Sequence, residues 1–356
     1  MNTLDRPSRR AVLAAAVGAP FVLPALTACG AAEASPHRLR LGYFANVTHG
    51  VAVAGMARGT FAERLPGVRL EPQIFPSGPS AVQAMLAGAL DVAYLGPNPA
   101  ITAWVRTKGQ GVRLVAGGAS GGAALVARKG IESVEGLRGR RVSTPQLGGT
   151  QDVALKTLLR EKGISTGSGK DAVEVLWMAN SQTLDQFKQN RLDASYQAEP
   201  WVSRLVEEAG AHVLVDERTR WPGGRFATTC VVVSEDYRRR CPEQVEALLG
   251  AHVDTVRWIR AHRDEASTLL NSEIERIAGK KLKPTVIERA MRSVEFGWDP
   301  MLTNVAEVAE HTWATGGIEV KPNLHGIADL APLNRALAAR SLERADDGGY
   351  GARGKA

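Results

Sequence analysis

Short apolar runs alternate with helix-length amphipathic runs along the chain from residue 38 onward. "LRLGYF" leads into Ala45-Asn46-Val47-Thr48-His49-Gly50 and a helical stretch from Val51. "VRLEPQIF" leads into Pro76-Ser77-Gly78-Pro79-Ser80 and "AVQAMLAG". "DVAYL" breaks at Gly96-Pro97-Asn98-Pro99, where another helix begins. "RVSTP", "VEVLWM" and "LDASYQ" repeat the event, ending at Gln146–Thr150, Ala179–Gln182 and Ala198–Trp201. Strand-like runs in alternation with helices predict α/β units on mostly parallel sheets. "VAYL" and "CVVV" are nearly unbroken apolar runs, as expected of strands covered on both faces. Ser80 and Thr150 read as N-caps, and Gly88 and Gly163 as the residues that close those helices.

One helix-strand unit occurs twice. Residues 81–99 align without gaps on 183–201, with Leu90, Asp91 and Tyr94 matching Leu192, Asp193 and Tyr196. Gly88 falls on Asn190, and these are the two residue types that best accept a left-handed helix end. The repeat predicts two lobes of similar build facing each other. "VRLVAGGASGGAALVAR" holds two strand-like runs joined at Ser120-Gly121-Gly122, and "ATTCVVVS" is the matching run on the way back. These are two crossings of a hinge. Lobe one is then 37–125 plus 227–340, and lobe two 126–226. After Glu243 the pattern is helical over 243–263, 264–278, 284–296 and 301–316, and 341–356 lack apolar content, predicting a disordered tail.

Composition adds little to this picture except at the start. Hydrophobic residues are 44% and charged residues 23%, an ordinary globular balance. The net charge of +7 is spread out, and aromatics are only 5%, so a nucleic-acid stacking platform is not expected. Residues 1–28 read as an export signal, with Arg9-Arg10 after Ser8, an apolar stretch broken by Gly18, Pro20 and Pro24, and small residues before Cys29. Arg9-Arg10 resembles a twin-arginine signal, the alternative being plain Sec export. Leu26-Thr27-Ala28-Cys29 resembles a lipobox, which predicts cleavage before Cys29 and lipidation of that residue. Cys230 and Cys241 either pair outside the cytoplasm or remain separate thiols.

In open α/β sheets ligands bind beyond the carboxyl ends of the strands, where helix N-termini offer unpaired N–H groups and partial positive charge. The six junctions and the 120–122 turn contain no Lys or Arg. They predict a site built from dipoles, suited to a monoanion or zwitterion, with the Asn98 amide facing a cleft. Glu199 could accept a bond from a ligand amine or hydroxyl, or brace a loop amide; His49 could donate to an anion or serve as a capping residue. No GxSxG, P-loop, HExxH or CxxC pair appears, and His and Cys show no metal spacing.

"LGYFANVTHGVAVAG", "DVAYLGPNPAITAW", "GGASGGAALVAR", "STPQLGGTQDVALKTLL" and "YQAEPWVSRLV" together resemble the sulfonate/taurine/nitrate class of substrate-binding proteins of ABC importers, in order over about residues 37–320. The resemblance implies a type II periplasmic-binding-protein fold: two α/β lobes, each a mostly parallel sheet flanked by helices, with a two-strand hinge. It implies ligand contact from Asn46, Thr48, His49, Ser77, Gly78, Pro97 and Asn98 in lobe one. Lobe two would add Gly149, Thr150, Gln151, Glu199, Pro200 and Trp201, with Ser120, Gly121 and Gly122 near the hinge. The implied role is that of a monomeric, lipid-anchored extracytoplasmic protein without cofactor, metal or catalytic residues. It would capture a small oxyanion-bearing solute, an aliphatic sulfonate or taurine-like compound, and deliver it to permease and ATPase subunits. Family members also bind nitrate or bicarbonate, and relatives bind heterocycles. The runner-up is a cleft enzyme, desulfinase-like or a pyrimidine-precursor synthase, for which Cys230 is the one nucleophile in view. A third reading is a sensor lipoprotein without a transport role.

Overall fold

The computed structural model describes residues 35–351; the export signal, Arg9-Arg10 and Cys29 lie outside the described residues. Two sheets form. The first contains β1 (Arg38–Tyr43), β2 (Arg69–Ile74), β3 (Val92–Leu95), β4 (Val112–Gly121), β10 (Ala227–Ser234) and β11 (Val294–Phe296). The second contains β5 (Ala123–Ala127), β6 (Arg141–Thr144), β7 (Glu174–Trp177), β8 (Ala194–Ala198) and β9 (His212–Asp216). The orders are β11-β4-β10-β3-β1-β2 and β7-β6-β8-β5-β9. In each, one strand from the other half of the chain runs antiparallel between two of the local strands: β10 between β3 and β4, β5 between β8 and β9. The remaining local pairings of β1, β2 and β3, and of β6, β7 and β8, are parallel.

The repeat is physical. Gly88 and Asn190 both end their helices with positive φ, 70° and 59°. Asp91 and Asp193 then do the same work. Asp91 accepts from the Arg40 backbone N–H at 2.8 Å, and Asp193 from that of Arg141 at 2.9 Å. Each aspartate thereby clamps the start of the neighbouring strand, β1 or β6. In lobe one the Arg40 guanidinium is also buried against Asp91, with Nε to Oδ2 at 2.9 Å.

Lobe two has a core on each face of its sheet, because alternate residues of β5 point opposite ways. Leu125 and Ala127 pack with Leu155, Leu158 and Tyr196, whereas Ala124 and Val126 pack with Leu184, Phe187 and Leu205. In lobe one a single larger core joins both faces to the C-terminal helices.

The strands cross between sheets at Gly121–Gly122, both at positive φ (75° and 68°). A side chain at Gly121 would press on the Ser293 carbonyl, 2.6 Å from its Cβ, so close approach as well as conformation requires glycine there. The return path, through short 3-10 turns over Glu217–Arg220 and Pro222–Gly224, ends in β10.

Three details differ from the sequence expectations, and the open question of the two cysteines is answered. Residue 284–296 is not one helix: it stops at Ser293, and Val294–Phe296 pairs antiparallel with Ala119–Gly121. Val294 and Phe296 are buried and Glu295 is exposed, a period-two signal too short to stand out. The described part of the expected disordered tail is ordered. Asn334 holds Ala345 by two hydrogen bonds, Tyr350 packs on the lobe-one core, and its carbonyl accepts from Gly326 at 3.1 Å. A few apolar residues among charges suffice when a preformed groove receives them. The N-caps are Ser77 and Gly149, not Ser80 and Thr150, which lie inside the first turn. Cys230 and Cys241 are separate buried thiols.

Candidate functional site

A cavity of about 50 Å³ lies between the lobes, at the carboxyl ends of the strands. A single water needs roughly 10–15 Å³ on that measure, so the space suits a compact solute. Of the residues expected to contact a ligand, Asn46, Thr48, His49, Ser77, Gly78, Gly149, Thr150 and Gln151 line it. Phe44, Gly96, Pro99, Gln146, Asn180, Gln197 and Thr228 complete much of the wall.

Helix starts converge on this space. Ser77, Gly96 and Gly149 are the N-cap residues of helices Gly78–Leu86, Pro97–Arg106 and Thr150–Glu161, and Asn180 begins helix Asn180–Lys188. None of these helices has a side-chain cap. Most other described helices also lack a side-chain cap, Ser234 over the Tyr237 N–H being an exception, so what sets these four apart is their convergence on one space. The aligned dipoles, with the free first-turn amides other than at Pro79, Pro97 and Pro99, favour an anion at the wall without a formal charge. Among the described lining residues there is no Lys, Arg, Asp or Glu.

His49 agrees with this. It is 3% exposed, and burial pulls its pKa down to about 3, so the ring is neutral at physiological pH. Its Nδ1 accepts from the Phe44 N–H at 3.4 Å, which assigns the proton to Nε2 and makes that atom a donor.

The lobes touch across the cavity, so this is a closed arrangement. The Trp201 indole donates to Asn46 Oδ1 at 3.1 Å. Ser77 and Ser80 both donate to Gln146 Oε1. The Gly96 backbone lies against the Thr150 hydroxyl. Ser293 donates to Glu199 Oε1 at 3.2 Å.

Several expected ligand contacts are placed otherwise. Asn98 does not face the cleft. It is buried, and its amide donates to Thr312 Oγ1 at 2.8 Å, tying its helix to helix Leu302–Ala314. Pro97 is buried in the same first turn and is not on the cavity wall. Ser120 accepts from the Phe226 N–H, and the Gly121 and Gly122 carbonyls accept from Thr228 and Glu199, so the 120–122 turn is hinge structure. Glu199 takes the bracing role. Its carboxylate accepts from the Ser203 N–H and hydroxyl at 3.0 and 2.9 Å, at the start of helix Trp201–Ala209. Burial raises its pKa, and these hydrogen bonds oppose that rise. Pro200, joined to Glu199 by a cis peptide bond, caps that helix and is likewise off the wall. Trp201 spans the lobes from outside the cavity.

Gln197 was missed, although the repeat marks it. It is the partner of Leu95, so an amide stands where the first lobe has an apolar residue. Both positions are 0% exposed. Gln146 and Asn180 sit within the predicted junctions, beside the residues expected to make contact. Phe44 carries no polar signal; its role is to stack on His49 at 4.0 Å between ring centroids.

The fold is shared with proteins of solved structure. The alkanesulfonate-binding protein SsuA from Xanthomonas axonopodis pv. citri superposes with a TM-score of 0.65 at 19% identity, covering 88% of this chain and 100% of that one. The desulfurization enzyme DszB superposes with a TM-score of 0.62 at 16% identity, covering 85% and 100%. In sequence, the taurine-binding periplasmic protein of Escherichia coli (strain K12) is 28% identical over 203 residues, 57% of this chain and 61% of that protein. The chain spans 64% of the length of a putative binding protein of Brucella abortus (strain 2308), to which it is 24% identical over 213 residues. The family model described as NMT1-like matches residues 32–271, about two thirds of the sequence, and the chain belongs to the NMT1-like family.

Proposed function

We propose that this protein is the extracytoplasmic solute-binding component of an ABC importer, holding a small oxyanion-bearing solute, above all an aliphatic sulfonate, between its lobes. The observation that carries the reading is the convergence of uncapped helix N-termini from both lobes on one small cavity without formal charge. An oxyanion there is held by amide dipoles and by hydroxyl and imidazole donors. Both lobes supply donors, so the solute satisfies all of them only in the closed state, and binding shifts the population toward closure. Closure is the signal a permease reads. The names of the sequence relative that binds taurine and of the structural neighbour that binds alkanesulfonates support the solute class.

The Leu26–Cys29 sequence supports a lipid anchor at Cys29 on the outer face of the membrane, and Arg9-Arg10 supports twin-arginine export. The chain acts as a monomer. The lobes comprise 37–121 with 227–351, and 123–226, and within the predicted contact set the residues retained are those on the cavity wall.

Calorimetry of the full chain in detergent with alkanesulfonates, taurine and nitrate tests the reading. Saturable heat without turnover supports it; conversion of the added compound would turn it toward a cleft enzyme. Mass spectrometry of the N-terminus tests lipidation, and a Cys29→Ser variant that stays in the membrane fraction would remove the anchor.

A further inference from the structure

Gln197 lines the cavity wall, is 0% exposed, and its Oε1 has no hydrogen-bond partner among the described residues. The neighbours of this amide suit an orientation with its nitrogen toward Ser195. Gln197 Nε2 donates to Ser195 Oγ at 3.0 Å. Ser195 Oγ already accepts from Ser143 Oγ at 2.8 Å and directs its own proton to the Ser143 carbonyl at 3.2 Å. With its own proton on the Ser143 carbonyl, Ser195 takes the Gln197 amide N–H, and this arrangement leaves the Gln197 oxygen as the end toward the cavity. The oxygen therefore stays an acceptor without a donor. Asn180 Oδ1, also on the wall, is a second buried acceptor without a partner. A buried acceptor left bare costs free energy, and on a cavity wall a donor on the occupant of the cavity relieves that cost.

The charge of that donor follows from the carboxylates nearby. Asp152 is engaged by Lys156 at 2.7 Å, by Trp177 Nε1 at 2.7 Å, by the Gly148 N–H and by Thr144. Glu199 is engaged by Ser203 and Ser293. Neither lines the cavity. An ammonium group brought there would lose its water without gaining a counter-ion, which is costly. A hydroxyl or an amide N–H meets the Gln197 oxygen without that penalty.

Resting on the sulfonate reading, we propose that the solute carries an uncharged hydrogen-bond donor beside its oxyanion, a hydroxyl or amide N–H, and that Gln197 Oε1 is the residue that selects it. The solute class is thus a compact hydroxy- or amido-sulfonate, not an aminosulfonate and not a plain alkanesulfonate.

Three probes of matched length separate these classes: 2-hydroxyethanesulfonate, ethanesulfonate and taurine, titrated by calorimetry into the full chain at pH 7. The hydroxy compound is expected to bind at least about tenfold more tightly than ethanesulfonate, with taurine no tighter than ethanesulfonate. Gln197→Met, checked for folding by its thermal melt, should bring the hydroxy compound down to the affinity of ethanesulfonate. Equal affinity of the two in the unaltered protein, a taurine preference, or a preference that survives Gln197→Met in folded protein overturns the inference. The wild-type series stands even where the variant does not fold. No heat from any of the three probes removes the sulfonate reading itself, which distinguishes its failure from failure of the selection by Gln197.

Discussion

Trp201 and Asn46 join the two lobes: the indole Nε1 of the second donates to the side-chain oxygen of the first at 3.1 Å. Its two ends belong to different lobes, so the closure proposed above makes this bond and opening would break it. Trp201→Phe keeps an aromatic face for the Arg204 guanidinium, which lies 4.6 Å from the indole centroid, and removes the donor together with the pyrrole half of the side chain. A neutral hydrogen bond contributes about 1 kcal/mol, so the affinity for 2-hydroxyethanesulfonate should fall roughly five- to tenfold. The melting temperature without solute should fall only modestly, since Trp201 is partly buried at the edge of a lobe-two core. An unaltered affinity by calorimetry would show that the contact is incidental to closure.

Gly96 and Thr150 give a sharper version of the same argument. Gly96 has an ordinary φ of −71°, so alanine is conformationally acceptable there. Its methyl would instead collide with the Thr150 hydroxyl of the opposite lobe. Gly96→Ala should therefore fold normally and bind at least about tenfold more weakly, because the wedge penalises the closed state alone. In a Thr150→Ala background the same glycine substitution should cost much less. Additive losses in this double-mutant cycle would falsify the steric account.

The sequence made the junctions legible because their chemistry is local: a strand end, a tight polar turn, a helix start. It made the two lobes legible because Asp91 and Asp193 clamp neighbouring strands in the same way, and because Gly88 and Asn190 share a left-handed backbone. What it could not show is which side of a junction residue points into the cleft. Asn98 looked like a ligand contact, yet Thr312, 214 positions later, is its partner. Glu199 was open between two roles, and Ser203 decided it from one helical turn away. Gln197 failed to register because its significance lies in a hydrogen-bond chain through Ser195 and Ser143, which only the pairing of β6 with β8 creates. Strand β11 was lost for a related reason, as three residues become a strand only when a partner such as β4 is present.

Cys230 bears on the enzyme reading. It lies in β10 opposite Leu95, is 0% exposed and is not on the cavity wall. Burial pushes its thiol up to about 12, so it is a protonated core side chain at neutral pH. Cys230→Ala should retain the affinity for 2-hydroxyethanesulfonate within about twofold and lose on the order of 1 kcal/mol of stability by packing loss. A variant that folds and melts like the wild type but no longer processes a sulfinate or other substrate that the wild type converts would restore the thiol to a catalytic role.

Glu217 gives the fold a pH dependence of known sign. It is 3% exposed, beside Tyr196 and Trp221, and burial raises its pKa from 4.5 to about 7. The Trp221 Nε1 donates to its Oε1 at 3.4 Å, and Arg220 opposes the rise only in part. The folded state thus holds a proton that the unfolded state releases above its ordinary carboxylate pKa. Between about pH 4.5 and 7 the native protein binds more protons than the unfolded one, so stability from this group falls as pH rises and stays reduced above 7. The penalty is on the order of 3 kcal/mol. Glu217→Gln keeps the shape and the acceptor for Trp221 but has nothing to ionise. Denaturant unfolding at pH 5 and pH 8 should show the variant near the wild type at the lower pH and clearly more stable at the higher, with the histidines cancelling in the difference. If the gap between the two proteins does not widen from pH 5 to pH 8, the carboxyl is ionised in the native fold and finds a partner on opening toward solvent.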